Sequence, residues 1–317
     1  MIKMYNTDVL TNRTEEVKEF IKGNWINMVA PTEEEIKQVC KKVKIQEEFI
    51  RYSLDYEEKA RIDYEEDDGT ILFIIDVPVI EKENNEDIHS TMPLGMIIVR
   101  DDYFITVSLK NTKIISEIEK NALKNAIATY KKSRMILQVF YKNAEMYLSE
   151  LKKINREKEK TEKELNTSMK NRELLKMLSL EKSLVYITTS LKSNEVVMEK
   201  TLRGKIIKLY EEDEDILEDA IIENKQAMEM AKIYSDILSG TMDAYASIIS
   251  NNLNIVMKVL TTITIILSIP TIIGSFWGMN VEVPFSNNPF GFYIVMAFSI
   301  MVALITFLVF KKRNMLS

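Results

Sequence analysis

Two stretches of this chain stand apart because they carry no formal charge. Residues 259–279 and 291–310 are built mostly of Ile, Leu, Val, Phe and Met, with no Asp, Glu, Lys or Arg. A helix needs about 20 such residues to cross a hydrocarbon core, so two transmembrane helices are expected. The alternative, two buried helices of a soluble core, asks for shorter runs with a polar face.

Ahead of the spans the pattern changes twice. Up to residue 115 it is that of an α/β domain. Residues 25–30 read as a strand ending at Pro31. Thr32 followed by Glu35 reads as a capping box opening a helix that runs to Val43. Residues 60–64 and 70–80 read as strands joined by a turn at Asp67, Asp68 and Gly69. Residues 94–99 and 103–109 form a second hairpin around Arg100, Asp101 and Asp102. Their near-continuous apolar character predicts a sheet covered on both faces. Beyond residue 115 the only glycines before Gly274 are Gly204 and Gly240, and no proline precedes Pro270. So little punctuation predicts long helices, over 116–163, 166–200 and from 213 to 278. The last, about 100 Å long at 1.5 Å per residue, would run from the cytoplasm into the membrane.

The expected organisation is therefore an α/β domain (1–115), a helical hairpin (116–212), and a stalk helix (213–278) that includes the first span from about 257. An external loop (279–290), the second span (291–310) and a basic tail (311–317) follow. Composition refines this. The chain has 317 residues, 28% of them charged, and a net charge of −6, with nearly all the charge ahead of residue 259. Lys258 precedes the first span, Lys311, Lys312 and Arg313 follow the second, and the loop between has no basic residue. The positive-inside rule puts both termini in the cytoplasm of a multi-pass protein of the cell membrane, with the tail anchored at anionic headgroups. The N-terminus is too charged for a signal peptide. A single cysteine, Cys40, excludes an internal disulfide and suits a cytoplasmic bulk.

The first span carries a second pattern. Asp243, Ser247, Ser250, Asn254, Met257, Thr261, Thr264, Ser268, Thr271 and Ser275 follow one another at alternating spacings of four and three. That is a heptad seam, yet nearly every member is polar while its flanks are apolar. Such a stripe either packs against a neighbouring helix or lines a water-filled channel among identical helices. Neutral hydroxyls suit an ion that keeps its water. Met257 and Leu260 interrupt the polar lining, and rings of such residues either gate by dewetting or make ordinary helix contacts. Pro270 frees a carbonyl within the span.

Past the seam come Gly278, Met279 and Asn280, then Glu282, the one formal charge between Lys258 and Lys311. A long helix entering the membrane, a GMN tripeptide, a short acidic loop, a second span and a basic tail resemble the CorA family of magnesium transporters. The stretch around Asn254 to Thr261, and Ser239 and Gly240 with Asp243, resemble that family's inner pore entrance. The resemblance implies a homopentamer with a funnel-shaped α/β cytoplasmic domain and one central pore. It also implies a selectivity filter of Gly278, Met279 and Asn280, with an Asn280 ring recognising the hydrated ion and Glu282 at the outer mouth. Asn254, Met257, Leu260 and Thr271 match pore-lining positions. Asp219 falls where the family carries a carboxylate for regulatory metal, with Glu81, Asp87 and Asp76 as candidate partners. Two positions depart from the family: Trp277, where Tyr or Phe is more frequent, and Ser268, where an apolar pore residue is found.

The chemistry agrees. Mg²⁺ sheds water reluctantly, and a ring of carboxamide oxygens accepts hydrogen bonds from those waters without displacing them. Glu282 can concentrate cations at the rim. The absence of Cys and His from spans and loop argues against a soft-metal site. The acid run from Glu211 to Asp215 reads as a solvated helix start or as a weak metal sensor shared with Asp219. His89, placed in a loop, cannot make a metal site alone. No phosphate-binding loop, dinucleotide fingerprint or catalytic triad is found. The expectation is a channel-like transporter without a resident cofactor, moving Mg²⁺ and inhibited by cytoplasmic Mg²⁺, with itself, lipid and divalent cations as partners and no nucleic acid. The alternatives are Zn²⁺ transport of the ZntB type or Co²⁺/Ni²⁺ transport by the same fold and, from another class, a two-span sensor or scaffold.

Overall fold

The computed structural model describes residues 1–67, 69–83, 86–124, 127–168, 171–204, 206–285, 288–313 and 315, with main chain only at 83, 86, 87, 167 and 168. The chain divides into two compact units, Met1–Ser239 and Gly240–Ser317.

The first unit is built on seven strands: β1 (Ile2–Thr7), β2 (Thr14–Val17), β3 (Trp25–Val29), β4 (Arg61–Glu65), β5 (Thr70–Glu83), β6 (Glu86–Val99) and β7 (Tyr103–Ser108). They form one sheet in the order β2-β1-β3-β7-β6-β5-β4. All neighbours are antiparallel except β3 and β7, which run parallel with Trp25 opposite Phe104. Helices α1 (Glu33–Val43) and α2 (Glu47–Tyr52) lie within the β3–β4 connection. The expected capping box is present: the Glu35 amide donates to Thr32 Oγ1 at 3.3 Å, and the Thr32 amide to Glu35 Oε2 at 2.9 Å. Arg100 and Asp101 both take positive φ in the turn between β6 and β7, closed by Asp102 N–H donating to Val99 O at 2.8 Å. The turn expected at Asp67, Asp68 and Gly69 lies partly outside the described residues; Gly69 itself has φ +70°.

Alternation along β5 explains why its sequence looks uniformly apolar. Phe73, Ile75 and Val77 join one core with Tyr5, Trp25 and Phe140, while Leu72 and Ile74 join another with Val39, Phe49 and Ile50 of α1 and α2. Both faces are covered, and each fully buried side chain of this size contributes about 1.5–3 kcal/mol relative to exposure.

The long helices differ from expectation in one respect. Instead of a single helix over 116–163 there are two, α3 (Lys113–Leu123) and α4 (Lys132–Ser168). Between them buried Thr129 exchanges hydrogen bonds with Thr7 of β1: each amide donates to the other's hydroxyl at 2.9 Å. The connection between the two helices is thereby tied to the last residue of β1. Helix α5 (Asn171–Gly204) returns along α4, and α6 (Glu211–Trp277) begins at the acid run.

His89 is not in a loop. It pairs with Ile80 across β5–β6 and is buried, with Nδ1 at 3.1 Å from Glu150 Oε2 and Nε2 at 3.6 Å from Glu157 Oε2, both on α4. Burial alone would raise the Glu150 carboxyl, but hydrogen bonds from His89 and Lys153 outweigh it and hold it at about 2. Asp76 of β5 shows the opposite balance. Its backbone is held by Asn194 and Asn143, and burial pushes its carboxyl up to about 6, only partly offset by a Ser190 hydrogen bond. The native state therefore holds a proton that the unfolded chain releases. Stability is lost as pH rises from about 4 to about 6, and the loss persists above. Asp76→Asn is expected to stabilise the first unit by about 2 kcal/mol at pH 7.5 and to lose its advantage below pH 4. Thermal melts of the full chain in detergent at both pH values, followed by tryptophan emission, check this. An equal advantage at both pH values would contradict it.

Candidate functional site: a polar helix face and the loop beyond it

The second unit holds the membrane-length helices. The apolar part of α6 and the whole of α7 (Gly291–Lys312) are long and apolar enough to cross a bilayer, and only 6% of each apolar window is buried within the chain. A core helix of a soluble protein would be covered, so burial decides against that reading.

On α6, Asn254, Met257, Leu260, Thr261, Thr264, Thr271 and Ser275 are exposed, and Ser268 is half-buried. The exception among the hydroxyl residues is informative. Thr262, one step off the seam, is wholly buried, and its hydroxyl lies 2.8 Å from Lys258 O and 3.3 Å from Met315 O. The helix thus turns one hydroxyl toward its own chain and leaves the seam uncovered.

The seam hydroxyls share a geometry. Thr261 donates to Met257 O at 2.8 Å, Thr264 to Leu260 O at 2.9 Å, Ser268 to Thr264 O at 2.7 Å and Thr271 to Leu267 O at 3.2 Å. Each spends its one proton on the carbonyl four residues back. What remains on the oxygen is acceptor capacity. A row of such oxygens receives hydrogen bonds from the outward-pointing protons of a cation's hydration water. Pro270 lies within this helix, where it removes one backbone donor.

At the end of α6 the chain is held by its own backbone and by Trp277. Gly278 N–H donates to Gly274 O at 3.0 Å and Met279 N–H to Phe276 O at 3.4 Å. The Trp277 indole N–H donates to Pro284 O at 3.0 Å. Asn280 and Glu282 lie between these anchors and are exposed. Phe285 takes φ +68°, and its carbonyl accepts from Asn288 at 3.1 Å. Asn288 in turn receives Phe290 N–H on Oδ1 at 2.9 Å and Gly291 N–H on its carbonyl at 2.8 Å, which starts α7. A Cβ at Gly291 would meet Phe285 O at 2.3 Å, so only glycine admits that approach. Behind the loop Ile273, Phe276, Trp277, Pro284, Phe285 and Phe298 line an apolar cavity of about 500 Å³.

The first unit gives a different result for the regulatory candidates. Asp219 is exposed and lines a concavity of about 370 Å³ with Asn121, Gln138, Tyr141 and Lys142. Neither of the two candidate partners whose side chains are described, Asp76 and Glu81, joins it there. Asp76 is held against α4 and α5, Glu81 pairs with Lys110 at 2.6 Å, and the Asp87 side chain lies outside those described. Among the described residues no three His, Cys, Asp or Glu side chains gather closely enough to hold a metal ion. The acid run is not simply solvated either. Asp213 is buried and receives Arg134 Nε at 2.7 Å, while Arg134 Nη2 donates to Glu212 at 2.8 Å. One arginine therefore engages two of the five carboxylates.

The residue that sequence reasoning passed over is Trp277. In the sequence it stands out only as a departure in type, and its hydrogen-bonded partner seven residues on is not visible in any local pattern.

Comparison with known proteins gives concordant results. A family model described as CorA-like Mg²⁺ transporter protein matches residues 22–312. The chain is 28% identical over 300 residues to the cobalt/magnesium transport protein CorA of Methanocaldococcus jannaschii, covering 92% of this chain and 90% of that protein. Over 148 residues it is 34% identical to the cobalt/magnesium transport protein CorA of Thermotoga maritima, covering 43% and 42%. The complete structure of the CorA magnesium transporter from Methanocaldococcus jannaschii superposes with a TM-score of 0.82 at 25% identity, covering 98% of this chain and 97% of that one.

Proposed function

This chain belongs to the CorA-like Mg²⁺ transporter family, whose members are channel-like divalent cation transporters rather than enzymes, and from that premise we propose how it works. It conducts hydrated Mg²⁺ across the cell membrane through a central pore made by copies of itself. One observation carries the reading: the exposed seam of α6, with hydroxyl protons turned inward and oxygens outward, leads along the span to the exposed Asn280. A single helix cannot enclose water, so a lining of this kind calls for several copies around an axis, and the family resemblance supports five.

The parts then take distinct roles. Glu282 raises the local cation concentration at the outer rim. The Asn280 ring, presented by Gly278 and Met279, accepts hydrogen bonds from the ion's water shell, which Mg²⁺ gives up reluctantly. Ser275, Thr271, Ser268, Thr264 and Thr261 pass the hydrated ion inward by exchanging acceptors. Asn254 lines the inner entrance, and Met257 and Leu260 form the apolar constriction that closes by dewetting. Both termini lie in the cytoplasm, where the Lys311, Lys312 and Arg313 cluster meets anionic headgroups. Cytoplasmic Mg²⁺ bound between acidic faces of neighbouring subunits, with Asp219 as one ligand, favours the closed state.

Ion uptake into proteoliposomes tests the proposal. The chain, reconstituted alone, is expected to admit Mg²⁺, and Co²⁺ more weakly, with Zn²⁺ uptake at least tenfold lower than Mg²⁺. Uptake of Zn²⁺ without Mg²⁺ would overturn the ion assignment. Absence of any divalent flux from correctly assembled protein would favour the sensor or scaffold reading.

A further inference from the structure

We propose that Trp277 is a positioning residue of the outer mouth, a tether whose indole N–H sets where the loop holds Asn280. The proposal rests on the reading of Asn280 as the group that meets the hydrated ion. The contact is the 3.0 Å hydrogen bond to Pro284 O, which closes a loop of six residues, 278–283, around Asn280 and Glu282. Both ends of the tether are stiff. Trp277 is the last residue of α6. Pro284 has its φ fixed by its ring and offers a carbonyl but no N–H. Closing a short loop at two stiff points removes most of the freedom of what lies between.

The surroundings fix the ring that makes this bond. Trp277 shares an apolar wall with Ile273, Phe276, Val283, Pro284 and Phe298, which seats the indole while its N–H reaches the exposed Pro284 carbonyl. The ring is seated as well as bonded: its Cζ2 lies at an ordinary van der Waals distance, 3.4 Å, from where a Cβ at Gly291 would stand, so the indole packs beside the start of α7. The indole thus joins the end of one span, the start of the other and the loop between them. A group that recognises an ion through its water shell must hold its oxygens at a fixed radius. Displacing the loop by a few tenths of an ångström lowers affinity for the shell before it changes the conduction path further down.

The test separates the N–H from the ring. In Trp277→Phe the donor is lost and an aromatic ring remains. A second variant carries benzothienylalanine at 277, in which sulfur replaces the indole N–H at nearly constant shape. Mg²⁺ uptake into proteoliposomes is measured against external Mg²⁺ for both, beside wild type and Asn280→Ala. We expect both tether variants to raise the half-saturating Mg²⁺ concentration about tenfold, with the maximal rate within about twofold of wild type. The chain has only two tryptophans, so subtracting the emission of Trp277→Phe from that of wild type isolates Trp277. That difference signal should shift on Mg²⁺ addition, and the shift should vanish in the Asn280→Ala background. An unchanged half-saturation in the benzothienylalanine protein overturns the tether. So does a fall in maximal rate at constant half-saturation, which would mark the ring as a packing element only. If instead Asn280→Ala transports like wild type, the reading of the mouth fails, and this proposal fails with it.

Discussion

Asn280→Ala is expected to reduce Mg²⁺ uptake to background while leaving the assembled protein intact. The magnitude follows from where the residue stands. Asn280 is exposed, beyond the last turn of α6, and contributes to neither core of the first unit, so its truncation takes nothing from folding. What it removes is the carboxamide oxygen offered to the ion's water. Mg²⁺ binds through such waters because it dehydrates reluctantly, and an alanine methyl offers them nothing. Asn280→Asp separates recognition from release. A ring of carboxylates would hold the ion more firmly, and conduction needs binding weak enough to let the ion leave. That variant should therefore concentrate Mg²⁺ at the mouth yet pass it slowly. Uptake by purified, size-verified assemblies checks both, and wild-type flux in Asn280→Ala would remove the filter from this loop.

Single cysteines along α6, in a Cys40→Ser background, are expected to divide into two groups with almost no overlap. Cysteines at Thr264, Ser268 and Thr271 should react within minutes with small hydrophilic thiol reagents. Those at Ile265, Ile269 and Ile272 should stay unmodified, because only the thiolate reacts and a thiol in hydrocarbon remains protonated. The seam and the flank alternate within a single helical turn, so depth in the membrane is matched and only the facing direction differs. Cys40 is buried, and burial pushes its thiol up to about 11, so its replacement removes little background but makes the measurement clean. Equal labelling of the two groups, whether both react or neither does, would remove the assignment of the seam as the water-facing side of α6.

Much of this architecture can be read from local pattern, because the physics involved is local. The capping box at Thr32 and Glu35, the strands around Phe73, Ile97 and Ile105, and the two uncharged spans each announce themselves within a dozen residues. The elements that escaped are held by distant partners. Strand β2 is four residues, Thr-Glu-Glu-Val, with no apolar alternation to mark it; pairing with β1 makes it a strand. The break between α3 and α4 has neither glycine nor proline. What the structure shows there is Thr129 hydrogen-bonded to Thr7 of β1, 122 residues away. His89 looked like loop because its neighbours are polar, yet it is polar on purpose: Glu150 and Glu157 of α4 close on it from both ring nitrogens.

The candidate site divides in the same way. The heptad spacing of the seam is a sequence property, and so is the GMN tripeptide beyond it. That the hydroxyls of Thr261, Thr264, Ser268 and Thr271 point their protons inward is a matter of side-chain rotamer, which spacing cannot supply. The Trp277–Pro284 tether joins residues on either side of an irregular loop, where no periodicity exists to read. Charge alone makes Asp76, Glu81 and Asp87 candidate partners for Asp219. Charge says nothing of depth, and Asp76 turned out to be held against the helical hairpin.

The central claim is that hydrated Mg²⁺ travels along the α6 seam, and block of flux by a charged adduct placed on that seam tests it most directly. Cys40→Ser/Thr271→Cys and Cys40→Ser/Ile272→Cys proteins are reconstituted, and Mg²⁺ uptake is recorded before and after a positively charged, membrane-impermeant methanethiosulfonate reagent. A fixed cation in the path repels a divalent ion across a short, poorly screened distance. The account predicts that uptake through Thr271→Cys falls at least tenfold, that reduction of the mixed disulfide restores it, and that Ile272→Cys is unaffected. Full modification at Thr271→Cys with undiminished Mg²⁺ flux would contradict it.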